Sequence, residues 1–155
     1  MAEAYIVDAL RTPTGKRKGS LANVHPADMG AFVLKTLVGR NAVPADDIED
    51  VVFGCLDAIG PQAGNIARSC WLAAGLPMHV PGVTIDRQGG SSQQAGHCVA
   101  QAVRSGTNDV ITIANNNAKP IPQNISCRLG HIACVSMLHT RSLVRSLIPR
   151  FPRTA

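Results

Sequence analysis

The sequence predicts an α/β fold, a mostly parallel sheet flanked by helices, followed by an irregular basic C-terminal tail. Three observations carry this. Short apolar runs rich in β-branched residues alternate with longer segments of helical period, in the order β-α-β-α-β-α-β up to residue 114. Pro and Gly punctuate nearly every junction between them. At 45% apolar and 16% charged residues over 155 positions, the chain has the composition and length of one globular unit with a real core.

Each element follows from its local sequence. "AYIVDAL" (4–10) reads as a buried strand that ends at "RTPTG", where Pro13 and Gly15 break it. In 25–41, apolar residues at 29, 32, 33, 37 and 38 mark one helical face, with Pro26 and Asp28 suited to the first turn and Gly39 near the exit. "DVVFGCL" (50–56) is a second strand, after an acidic connector. The helix-like "NIARSCWLAAGLP" (65–77) stops at Gly75 and Pro77. "PGVTIDR" (81–87) is a third strand, and the helix over 91–106 sets Ala95, Cys98, Val99, Ala102 and Val103 on one face. "NDVITIA" (108–114) closes the series.

Beyond Ala114 the alternation stops. Residues 1–109 carry nine Lys/Arg against ten Asp/Glu, whereas 110–155 carry six Lys/Arg and no acid. Such a break predicts two regions, an α/β domain over 1–114 and a basic tail over 115–155. In the tail, "NNNAKPIPQN" reads as loop and 131–147 as a basic amphipathic helix with Arg141 and Arg145 one turn apart.

Composition also excludes functions. With three Phe, one Tyr and one Trp, the chain lacks the aromatic platform of a base-stacking nucleic-acid binder, so no specific nucleic-acid partner is expected. No apolar run approaches the ~20 residues of a membrane span, and no secretory signal opens the chain. The five cysteines (55, 70, 98, 127 and 134) show no paired spacing and read as reduced thiols of a cytoplasmic protein. Cys127, His131, Cys134 and His139 offer metal-ligand atoms, yet their spacing fits no common zinc pattern, so no metal is expected.

The chemically suggestive stretch is "DRQGGSSQQ" (86–94), a polar turn between a strand and a helix. Ligands gather beyond the carboxyl ends of parallel strands, where helix N-termini point. A thiol there would feel the helix's partial positive charge, favouring thiolate, and could attack an acyl carbonyl. Nearby N–H groups would stabilise the oxyanion. Gly89 occupies the centre of this turn and supplies no side chain. Cys98 lies nine residues along the helix, roughly 13 Å away at ~1.5 Å per residue. Ser91 and Ser92 are near but lack an evident base, and read as caps of the helix.

Three runs, "VDALRTPTGKRKGSL", "GNIARSCWLAAGLP" and "GVTIDRQGGSSQQAGHCVAQAVRSGTNDVI", closely resemble the N-terminal domain of thiolases over residues 4 to about 113. That family comprises acetyl-CoA acetyltransferases and the degradative 3-ketoacyl-CoA thiolases of fatty acid β-oxidation. The resemblance implies a layered fold of two similar halves, dimers or tetramers, acyl-CoA and coenzyme A as substrates, and no covalently bound cofactor. The family's turn, R-Q-C-G-S-S-Q-Q, falls on Arg87 to Gln94 and places its nucleophile at Gly89, leaving only a backbone N–H as an oxyanion donor. Family chains are more than twice as long, with their second catalytic cysteine and histidine in the other half. The resemblance therefore implies a truncated acyltransferase, inactive by itself, whose tail has the character of a reading-frame change. Two alternatives differ in class: a non-catalytic partner of a full-length thiolase, and a subunit of the cysteine-less retro-aldol lyases similar to thiolases.

Other residues receive structural expectations. Asn65 and Arg68 match a family segment near the active site and subunit interface, but a structural role is expected of both. His25 and His97 read as capping or solvent residues, and "GKRKG" (15–19) as a solvated basic loop with a lesser claim to bind anions.

Overall fold

A computed structural model describes residues 3–13, 15–16, 18–41, 43–116 and 132–138. Its elements run β1 (Tyr5–Arg11), α1 (Pro26–Arg40), β2 (Asp50–Cys55), α2 (Ile66–Ala73), β3 (Gly82–Ile85), α3 (Ser91–Ser105), β4 (Val110–Asn116) and β5 (Ile132–Leu138). The predicted alternation through β4 therefore stands, with boundaries within a few residues.

The five strands form one sheet in the order β1-β5-β4-β2-β3. β2 pairs in parallel with both β3 and β4, while β5 pairs antiparallel with β4 and β1. Since β5 opposes both neighbours, β1 runs the same way as β4. Four strands thus share one direction, and their carboxyl ends lie along one edge of the sheet.

Alternation along β2 sends its residues to opposite faces. Val51 and Phe53 join Leu34, Leu37, Cys70 and Trp71 under α1 and α2, and Val52 joins Ala95, Val99, Val103, Ile111 and Ile113 under α3. Helices therefore cover both faces, as a parallel sheet requires.

Three expectations need correction. The strand expected to be buried, β1, has no buried residue, and its Ile6 is 63% exposed. Among the described residues it lies at the sheet edge and pairs with β5 alone. Phe32 is 69% exposed rather than part of the inward face of α1, whose buried residues are Gly30, Ala31, Val33, Leu34 and Leu37. Because α1 packs against α2 as well as the sheet, its inward stripe centres on Val33, Leu34 and Leu37, and Phe32 falls outside it. The helix expected over 131–147 is a strand in its described part, Ile132–Leu138. The opening between β1 and β4 offers that segment backbone partners on both sides, and this pairing overrides its helical period. The rest of that span lies outside the described residues.

Candidate functional site

Two strand-to-helix connections stand on the carboxyl edge of the sheet. The first leads from β2 into α2. Asn65 caps α2, its Oδ1 accepting from the Arg68 N–H at 3.2 Å, while its Nδ2 donates to the Gly82 carbonyl at 2.6 Å. The Thr84 hydroxyl donates to Asn65 Oδ1 at 2.9 Å and accepts from the Ala67 N–H at 3.1 Å. Arg68 reaches the Met78 carbonyl at 2.6 Å and the Val80 carbonyl as well. Asn65 and Arg68 therefore have the structural role expected of them: Asn65 ties α2 to β3, and Arg68 ties it to the segment just ahead of β3.

Ahead of Asn65 the loop is held by Gln62, which is wholly buried. Its Nε2 donates to the carbonyls of Leu56 (3.1 Å) and Asp57 (2.7 Å). The sequence shows only a glutamine between Pro61 and Ala63, which gives no signal of this role.

The second connection is the turn from β3 into α3. The Arg87 carbonyl accepts from the Gly90 N–H at 2.8 Å and from the Ser91 hydroxyl at 2.9 Å, and the Ser91 Oγ accepts from the Arg87 N–H at 3.0 Å. Ser91 thus closes the turn from inside the helix and does not cap it, contrary to expectation. The N-cap is Gly90, which makes no side-chain cap. Arg87 also bonds the Gln94 side chain across the first turn of α3.

Gly89 sits at the crest with φ +77°, and a Cβ built there would meet nothing within 4 Å. A sharp strand-to-helix turn with a left-handed residue is the geometry that exposes a nucleophile at a helix N-terminus. The arrangement rests on Gly54 of β2. A Cβ at Gly54 would come within 2.4 Å of the Ser91 carbonyl carbon and the Ser92 nitrogen, so the first turn of α3 lies directly on the strand. A lone glycine inside the apolar run "VVFGC" was the available signal of such an approach.

None of the described cysteines supplies a nucleophile at the turn. Burial, with Asp86 and Asp57 adding to it, pushes the Cys55 thiol up to about 11. Burial likewise pushes Cys70 up to about 12, helped by Cys55 and Asp28. Both thiols stay protonated and inert at neutral pH. Cys98 is half-buried on α3, where its sulfur accepts from Gln94 Nε2 at 3.4 Å. His25 caps α1 through Nδ1, accepting from the Ala27 N–H at 3.2 Å, and His97 is exposed. Cys127, His131 and His139 lie outside the described residues, and Cys134 is placed by its backbone in β5. No described helix is long and apolar enough to cross a membrane.

Comparison with known proteins gives a consistent result. Residues 4–115 match the family described as thiolase, N-terminal domain. The chain is 53% identical over 131 residues to a steroid 3-ketoacyl-CoA thiolase of Mycobacterium tuberculosis, a match covering 84% of this chain and 32% of that protein. It is 43% identical over 115 residues to a 3-ketoacyl-CoA thiolase of Colwellia psychrerythraea, covering 73% of this chain and 30% of the relative. A beta-ketoadipyl-CoA thiolase of Acinetobacter baylyi is 42% identical over 107 residues, covering 68% of this chain and 27% of the relative. The chain thus spans about a third of the length of these relatives.

Proposed function

The chain belongs to the thiolase family through its N-terminal domain, and from that premise we propose that it is an acyl-transfer scaffold of thiolase type whose covalent step is silenced at Gly89. In such chemistry a thiolate at the crest of the turn attacks the acyl carbonyl of an acyl-CoA. With a plain acyl-CoA a carbon–sulfur bond to the protein forms, the bond to coenzyme A breaks, and coenzyme A leaves as thiolate. With a 3-ketoacyl-CoA the thiolate attacks the 3-keto carbon, the C2–C3 bond breaks, and acetyl-CoA leaves as an enolate that takes up a proton. The names of the relatives point to 3-ketoacyl-CoA substrates. Gly89 stands at the nucleophile position and offers only its backbone N–H, which suits it to hold an oxyanion but not an acyl group.

The observation that carries this reading is the empty, left-handed crest at Gly89 ahead of a 15-residue helix, with the nearest hydroxyl, Ser91, bonded to Arg87 on both sides. The free thiols of Cys55, Cys70 and Cys98 fit the reducing, cytoplasmic setting that the cysteine spacing suggests. The test is acetoacetyl-CoA thiolysis, and separately intact-mass detection of acetyl adducts after incubation with acetyl-CoA, on the wild type and on Gly89→Cys. The wild type should show neither turnover nor adduct, and Gly89→Cys should carry an adduct at position 89. Wild-type turnover would sink the silenced reading.

One observation favours a second reading, a non-catalytic partner of a full-length thiolase. β3 ends the sheet, pairing among the described residues with β2 alone, and its Val83 is 44% exposed. A free strand edge is a ready template for a further strand. Co-purification with a full-length thiolase, lost on Val83→Lys, would support it, and a monomer that captures no thiolase would count against it.

A further inference from the structure

The Gly89 turn contains a single formal cation, and the structure fixes where it stands. Between residues 69 and 103, Arg87 is the sole Lys or Arg. Its backbone closes the turn with Gly90 and Ser91, while its side chain runs along the first turn of α3 and donates through Nη1 to Gln94 Oε1. The stem passes beside Gly90, with Cδ 3.9 Å from the position that a Cβ there would take. A Cβ at Gly89 meets nothing within 4 Å, so the arginine flanks the crest without covering it.

Gln94 holds this cation in a way that a carboxylate would not. Its amide is neutral, so the hydrogen bond fixes the guanidinium and leaves its charge in place. The other end of the amide, Nε2, donates to Cys98 Sγ at 3.4 Å. With the sulfur accepting on that side, Oε1 is turned toward Arg87. Gly90, Gln94 and Cys98 follow at steps of four, so the three line one flank of α3. Among the described residues Arg87 forms no ion pair with a carboxylate.

Its charge stands in acidic surroundings. Asp57 and Asp86, on the connections that leave β2 and β3, both act on the Cys55 thiol at the end of β2. β4 carries no charged residue from Val110 to Asn116, and α3 adds His97 and Cys98 as titratable groups ahead of Arg104. The two carboxylates oppose the partial positive charge of the helix N-terminus, roughly half an elementary charge. Arg87 supplies a full positive charge at the turn itself and offsets them.

We propose that Arg87, fixed along the first turn of α3 by Gln94, sets the positive potential at the Gly89 crest, and that Gln94 is its positioning residue. The proposal rests on the acyl-transfer reading above and deepens it by naming the side chain that favours negative charge at the crest. That charge is a thiolate where a cysteine is present and an oxyanion where, as here, only the backbone N–H remains.

The test reads the apparent pKa of a thiol at position 89 in the full chain, from the pH dependence of iodoacetamide alkylation. The parent Gly89→Cys is compared with the same protein carrying Arg87→Gln, Arg87→Lys, Gln94→Leu or Gln94→Glu, each checked for folding by its amide spectrum. Arg87→Gln should raise the apparent pKa by about 0.5 to 1 at low ionic strength. Arg87→Lys should keep most of the parent value. Gln94→Glu should raise it as far as Arg87→Gln does, although the arginine is retained, and Gln94→Leu about half as far. In the parent itself, salt at about 1 M should remove most of the arginine's effect. A role confined to stability would lower the melting temperatures and leave all these values alike.

A rise below about 0.2 in Arg87→Gln would overturn the proposal, and so would a Gln94→Glu value equal to the parent's. A parent that titrates below the ordinary ~8.5 and stays there in Arg87→Gln would mean that the helix alone prepares the crest, leaving the acyl-transfer reading intact. A parent that titrates at or above that value, and higher still in Arg87→Gln, would uphold the role of Arg87 while the acyl-transfer reading fails.

Discussion

The two connections on the carboxyl edge of the sheet solve the same problem in opposite ways. Both leave a parallel strand and enter a helix, and both must deal with N–H groups that a helix N-terminus leaves unpaired. Before α2, Asn65 answers with its own side chain and ties the helix to β3 through Gly82 and Thr84. Before α3, Gly90 offers no side chain, and Gly89 stands clear of every neighbour at the crest. Side-chain capping of the helix start is concentrated at the first connection. The second is fixed from below, by Ser91 and by the seat on Gly54, and left open above. Helix termini left open at a strand's carboxyl end are where an incoming negative charge is stabilised.

Substitutions can break this comparison. The largest effect should come from Gly54→Ala, which sets a methyl group against the backbone of Ser91 and Ser92 and should cost about 3 kcal/mol in urea unfolding. A loss below about 1 kcal/mol would mean that α3 does not rest on β2. Asn65→Ala should cost about 2 kcal/mol, combining a lost cap with a lost bond to the Gly82 carbonyl. Asn65→Asp keeps the acceptor and should recover roughly half of that loss.

At the open turn the costs shrink. Gly89→Cys should lose about 1 kcal/mol, all of it from the left-handed φ, because its Cβ meets no neighbour. Gly90→Ala should lie within about 0.5 kcal/mol of the wild type, since its φ of −149° is negative and the nearest neighbour of an added Cβ would be Arg87 Cδ at 3.9 Å. Equal costs at Asn65 and Gly90 would erase the distinction between the two connections.

The smallest effect at neutral pH is that of the buried thiols. Folding raises the affinity of Cys55 and Cys70 for their protons, so their contribution is fully present below the ordinary thiol value. It is lost as pH climbs through about 11 and 12. Melting temperature should therefore be insensitive to these groups up to about pH 8 and fall steeply above pH 9. Iodoacetamide at pH 8 should leave both residues unmodified in the folded protein, as peptide mass spectrometry would show.

Most of the fold was legible because the signals were local. β-branched runs, helical periods and Pro or Gly stops placed β1 through β4 and all three helices, and the motif at 86–94 marked the turn. What escaped depended on contacts distant in sequence. Ile132–Leu138 takes its strand form from β1 and β4 on either side, which no helical period within 131–147 records. Phe32 is displaced outward by packing between α1 and α2. At the turn, a serine one position beyond the cap looks like a cap in sequence, and only the geometry shows Ser91 gripping Arg87. Gln62 was invisible for the same reason, since its partners are backbone carbonyls rather than a motif.

The account turns on the claim that the crest at Gly89 is a setting for a thiolate from which the thiol is missing. The pH dependence of iodoacetamide alkylation at position 89 in Gly89→Cys, with Cys98 in the same protein as internal reference, tests this directly. The helix N-terminus should bring the apparent pKa of the introduced thiol clearly below the ordinary ~8.5 and make it the fastest-reacting thiol of the folded protein. An apparent pKa at or above that ordinary value would contradict the account and leave the turn a plain loop.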